Sequence, residues 1–176
     1  MPDRPPFLNL PSSALSIALV LAAWMTGGCS TGTTASQTSE TNFVVSVPHI
    51  ERMDVSICKG DNTAINRLLS GRAESFAKKI DHGSVWYGEG LSMEPLLEPG
   101  SWIVTRPHPY TKLRPGMVVL YTTTAGRQVV HALVRRTSEG WVAVGVNNDE
   151  TDLEFVTSTN FAGVIAGVFT PARPQP

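Results

Sequence analysis

Ser92 begins a stretch, Ser92-Met93-Glu94-Pro95-Leu96-Leu97-Glu98-Pro99-Gly100, that sets a hydroxyl beside apolar residues and two prolines. A solvent loop has no need of Met93, Leu96 and Leu97, and a core segment is a poor place for Ser92, Glu94 and Glu98. A serine hydroxyl is a weak nucleophile at neutral pH and needs a neighbouring base. The chain has 4 histidines. His49 follows a polar stretch, His82 precedes a strand-like run, and His108 stands between two prolines. His131 lies inside the apolar run Val129-Val130-His131-Ala132-Leu133-Val134, where a strand would hold an imidazole rigidly. Two readings of His131 are open at this point: a general base, or a half-buried ring satisfied by the backbone. The stretch Gly145-Val146-Asn147-Asn148-Asp149-Glu150-Thr151-Asp152 is rich in turn-forming residues. It is either a hairpin connection or the source of a carboxylate that orients a histidine, the third role in serine chemistry.

The elements that must position these residues change character along the chain. Residues 61–80 repeat apolar side chains at Ile65, Leu68-Leu69, Phe76 and Ile80, the three- and four-residue steps of an amphipathic helix. Asp61 or Asn62 would cap it, while Gly71 weakens its middle and could split it in two. The run Phe43–Ile50 reads as a short strand or an extended lead into the domain. From Ser84 onward short apolar runs alternate with glycine and proline punctuation: 84–90, 101–107, 114–123, 127–137, 140–146 and 161–169. Five or six short strands without helices between them predict a mostly β, compact coiled sheet, antiparallel or mixed, preceded by a short helical segment. The division expected is a leader 1–29, a Ser/Thr tether 30–42, an extension 43–83 carrying the helix, a β domain 84–170 and a disordered tail 171–176.

Residues 14–25 are apolar and are followed by small residues and Cys29. That run is short for a membrane span and suits the hydrophobic part of an export leader. Small residues before a cysteine resemble the lipobox of bacterial lipoproteins, which implies lipidation at Cys29. Soluble secretion and an uncleaved anchor are the competing readings. With Cys29 so used, the second cysteine, Cys58, has no partner for a disulfide and reads as a structural thiol. A formal charge of −1 over 176 residues gives no sign of binding to nucleic acid. No metal-ligand spacing is present, and no metal or organic cofactor is expected.

Taken in order, the Ser92 box, the Val-Val-His strand, the Gly-x-Asn-Asn turn with its closing aspartate, and the run Asn160–Phe169 resemble the signal peptidase I superfamily. That superfamily also contains the self-cleaving SOS-response repressors. The resemblance spans about Gly88 to Phe169 and implies a coiled β fold that cleaves peptide bonds with a serine nucleophile. Ser92 matches the nucleophile, and Met93, Pro95, Leu96 and Gly100 match the structural residues around it. His131 matches the base of the branch that uses a Ser-His pair; Lys112, in a turn, is not placed like the lysine of the other branch. Gly145, Asn147 and Asn148 match the Gly-Asp-Asn-Asn box, and Asp152 its closing aspartate.

The chain departs from the pattern at three positions: Met117 in place of an aspartate, Ala132 in place of an arginine, and Val146 in place of the box aspartate. These losses leave Asp152 as the main candidate to orient His131, with Asp149 second. The function implied is a serine endopeptidase acting on a polypeptide, held at the cell envelope by a lipid anchor or leader and facing the periplasm or the outside. The alternatives are an inactive envelope scaffold or peptide-binding lipoprotein of the same fold and, less consistent with a leader, a self-processing repressor.

Overall fold

The computed structural model describes residues 44–54 and 62–172. The leader, Cys29, the tether, Cys58, Asp61 and residues 173–176 lie outside them. Among the described residues the chain forms seven strands in a single sheet, not closed into a barrel, and one α-helix. In chain order these are β1 (Ile50–Asp54), α1 (Asn62–Ala77), β2 (Ser84–Gly88), β3 (Ser101–Arg106), β4 (Val118–Thr122), β5 (Gln128–Arg136), β6 (Trp141–Val144) and β7 (Phe161–Ala172). No helix among them is long and apolar enough to cross a membrane.

The longest strand, β7, organises the sheet. One edge pairs antiparallel with β3, while the other is shared end to end by β4, antiparallel from Phe161 to Val164, and β1, parallel from Val168 to Ala172. The remaining order runs β2 beside β3, and β4 through β5 to β6. Adjacent residues of β4 bury into different clusters. Val118 and Leu120 face one with Met93, Leu96 and Ile165, whereas Val119 and Tyr121 face another with Leu133, Trp141 and Val156. A strand covered on both faces cannot alternate with polar residues, which is why Val118–Tyr121 reads as an unbroken apolar run.

Three expectations change. β1 comes from the extension, so residues expected to lie before the β domain are a strand of its sheet. Pro171 and Ala172, assigned to the tail on composition, finish β7 opposite Met53 and Asp54; proline is tolerated there near the end of a strand. Helix α1 runs unbroken through Gly71, because its stability comes from packing rather than propensity. Ile65, Leu69, Ala73 and Ala77 recur every fourth residue and bury against Val104 and Phe169, with Leu68, Phe76 and Ile80 at the margins.

Candidate active site

The connection 89–100 between β2 and β3 carries Ser92. Its turn is closed by backbone bonds from Glu94 N–H to Leu91 O and from Leu96 and Leu97 N–H to Met93 O. Met93, Leu96 and Leu97 are buried in the first core cluster. At about 1.5–3 kcal/mol for each buried side chain of this size, three such anchors outweigh the cost of confining one hydroxyl. The mixed composition of the segment thus has a simple cause: Met93, Leu96 and Leu97 face inward, which leaves Ser92 at the rim, half-buried. Pro95 is exposed, and its carbonyl accepts a hydrogen bond from Arg52 Nη2 of β1 at 2.6 Å. Gly100 closes the connection with a φ of 87°, its N–H donating to Gly88 O. Glu98 differs from expectation, being buried, with its N–H donating to Thr170 Oγ1 and its carbonyl accepting from Ser101 Oγ.

His131 sits in β5 opposite Val119 of β4 and is 6% exposed. Both ring nitrogens are engaged. Nδ1 lies 2.8 and 2.7 Å from the two carboxylate oxygens of Asp152, and Nε2 lies 2.9 Å from Ser92 Oγ. A carboxylate can only accept, so Nδ1 carries the ring proton; Nε2 is then the acceptor for the Ser92 hydroxyl.

Asp152 reaches this position because the chain doubles back after β6. Thr151 bridges Val144, Val156 bridges Trp141, and Asp152 N–H donates to Ala143 O at 2.8 Å. The doubling-back turn also braces the turn that carries Ser92. Asn147 N–H donates to Ser92 O at 2.8 Å, and Asn147 Nδ2 to Leu91 O at 3.1 Å. Asn148 N–H closes the turn on Gly145 O. A Cβ at Gly145 would come within 2.6 Å of Ser92 O, so the two segments approach too closely for any side chain there.

Each residue singled out in the sequence can now be placed. Ser92, His131 and Asp152 form one hydrogen-bonded line, and Asn147, Asn148, Met93, Leu96 and Gly100 shape the turns that hold it. Asp149 is exposed on the turn, and the carboxylate that meets the His131 ring is that of Asp152. Lys112 is exposed in a 3₁₀ turn, Tyr110–Lys112. His82 is exposed, and His49 stacks on Phe76 under α1. His108 Nε2 lies 3.4 Å from Lys112 O. Of the three departures, Ala132 is fully buried in the first core, where an arginine head group would lose its solvation. Val146 packs against that same core, and Met117 against the second.

One neighbour of the site was not legible in the sequence. Tyr121 of β4, 1% exposed, donates its hydroxyl to Asp152 Oδ2 at 2.7 Å. Burial, then the bond to Asp152 and the negative charges of Asp152 and Glu154, push its phenol above the ordinary tyrosine range, so it stays a donor. A tyrosine in an apolar strand looks like any core residue; its i+2 spacing from Val119, the partner of His131, is the signal that places it on the histidine's face.

Beside Ser92 and His131 opens a cleft of about 390 Å³, with Trp86, Met93, Ile103, Leu120 and Val130 among its walls. Along β5, β6 pairs only from Ala132 onward, so Gln128–His131 line the cleft beyond the reach of that strand. Among the described residues no group of three or more His, Cys, Asp or Glu side chains is placed to share a metal ion. The chain matches no family model, no curated protein and no solved structure.

Proposed function

We propose that the protein is a serine endopeptidase with Ser92 as nucleophile, His131 as general base and acid, and Asp152 as the carboxylate that orients the ring. The observation that carries this reading is the 2.9 Å contact between Ser92 Oγ and His131 Nε2, with Nδ1 held by Asp152. A scaffold of the same fold would have no need to keep the hydroxyl and the ring within hydrogen-bond reach.

In the proposed reaction Ser92 Oγ attacks a peptide carbonyl while its proton passes to His131 Nε2. The resulting imidazolium is stabilised by Asp152, which keeps its own charge. The oxyanion is met by backbone N–H groups of the nucleophile turn, that of Ser92 among them. Collapse breaks the C–N bond, with the Nε2 proton going to the leaving amine. Water, deprotonated by the same ring, then releases the acyl group from Ser92. A polypeptide would lie extended along Gln128–His131, adding its backbone to the edge that β6 leaves uncovered.

The ordered boxes noted in the sequence support a kinship with the signal peptidase I superfamily, on its Ser-His branch, and the mostly β domain with its single sheet is compatible with it. On this reading the substrates are exported or membrane-associated polypeptides, and a lipid on Cys29 tethers the domain to the envelope. Incubation of the purified protein with a library of unstructured polypeptides tests the activity. New N-termini should arise with wild type and not with Ser92→Ala. Equal yields from both, or none from wild type, would overturn the assignment.

A further inference from the structure

We infer that Tyr121 is a positioning residue for the Ser92-His131-Asp152 line, holding the Asp152 carboxylate charged, fixed in orientation and moderated in its pull on the imidazole. The inference rests on the peptidase reading for its kinetic consequence, but not for its structural one.

The geometry is specific to a hydroxyl at this place. Asp152 Oδ2 accepts from Tyr121 of β4 at 2.7 Å and from His131 of β5 at 2.7 Å. The backbone of Asp152 is tied to Ala143 of β6. Three neighbouring strands therefore fix one carboxylate. The titratable groups facing it from these elements are the Tyr121 phenol and the His131 ring. Glu154, two residues along the same segment, is bound instead to Thr124, through its N–H at 2.7 Å and its Oγ1 at 3.0 Å. Packing alone does not call for a tyrosine: the buried neighbours of its ring in the second core cluster, Leu133, Trp141 and Val156 among them, are apolar. A fully buried hydroxyl must find a partner, and this one has found the carboxylate that the relay depends on.

The charge balance gives the sign of the effect. The phenol turns the positive end of its O–H dipole toward Asp152 and draws off part of the negative charge that the imidazolium would feel. Without that donor the carboxylate holds the second ring proton more tightly. His131 then loses its role as base at a higher pH. Tyr121→Phe should therefore move the acid limb of the acylation rate upward by about half to one pH unit. The corresponding loss is about three- to tenfold on the acid side, with a smaller loss on the neutral plateau.

Two readouts test this in the purified protein, with thermal melting to establish that each variant is folded. The first follows the His131 ring by NMR through a pH titration in wild type and Tyr121→Phe, and needs no substrate. The second measures the rate of acylation by a fluorophosphonate probe against pH. An upward shift in both bears the inference out. Should Tyr121→Phe fail to fold, 3-fluorotyrosine at position 121 keeps the shape and strengthens the donor, and the shift should then run downward. A ring titration that does not move in the folded variant overturns the inference, as does a uniform loss of rate at every pH, the mark of a purely structural residue. A ring shift in a protein that the probe never acylates would leave the positioning intact and remove the peptidase reading.

Discussion

The carbonyl of Ser92 accepts a hydrogen bond from Asn147 N–H at 2.8 Å, so the turn that ends β6 grips the turn that presents the Ser92 hydroxyl. Gly145 makes this contact possible, since a Cβ there would meet Ser92 O at 2.6 Å and the Asn148 side chain at 2.7 Å. Gly145→Ala should push Ser92 away from His131. A displacement approaching 1 Å lowers kcat/KM by about 100-fold, at a stability cost of about 1–3 kcal/mol. Unchanged activity in a folded Gly145→Ala protein would show that the two turns do not need to touch.

Substitutions along the relay should be graded by role. His131→Ala removes the base and should lower kcat/KM by about a thousandfold or more. Asp152→Asn leaves the shape but not the charge that fixes the ring proton on Nδ1, and a comparable loss is expected. Lys112→Ala, at an exposed turn, should leave turnover unchanged. In wild type the rate should fall in acid, because a doubly protonated ring cannot accept from Ser92. Activity retained by His131→Ala and lost by Lys112→Ala would exchange the assigned base for a lysine.

Much of this arrangement was legible in the sequence, and the illegible parts have physical reasons. The strands after Ser84 announce themselves because each apolar run is closed by glycine or proline. Ser92 and His131 stand out as a hydroxyl and an imidazole set against apolar residues that do not otherwise require them, whereas Asp152 is picked out of its acidic turn only by the family resemblance. β1 is hidden: Ile50-Glu51-Arg52-Met53-Asp54 is short and charged, and its strand character comes only from lying beside β7. The helix stripe showed its large residues but not Ala73 and Ala77, whose small size brings α1 close to the sheet. Tyr121 could not be read at all, and Gly145 only as part of a turn box, because their meaning lies in what they touch. One has a hydroxyl that meets Asp152, and the other lacks a side chain where Ser92 passes.

The buried phenol gives a second, activity-independent pH prediction. Its proton is held more tightly in the folded state than in the unfolded chain, chiefly by burial and then by Asp152. A group whose folded pKa is raised contributes stability that is fully present below its unfolded value and is lost as pH rises toward the folded one. Stability should therefore decline above about pH 10, where the unfolded tyrosine begins to ionise. Chemical denaturation across pH 8 to 11 should show this slope in wild type and a shallower one in Tyr121→Phe. Parallel slopes would mean that the phenol ionises equally easily in both states.

The central claim is that the 2.9 Å contact makes Ser92 a nucleophile. It is tested most directly by treating wild type, Ser92→Ala and His131→Ala with a fluorophosphonate and locating the adduct by peptide mass mapping. The account predicts one phosphonyl group per wild-type chain, on Ser92, at a rate that falls in acid, and none within the same time on either variant. Labelling spread over several serines, or labelling of wild type and His131→Ala at equal rates, would contradict it.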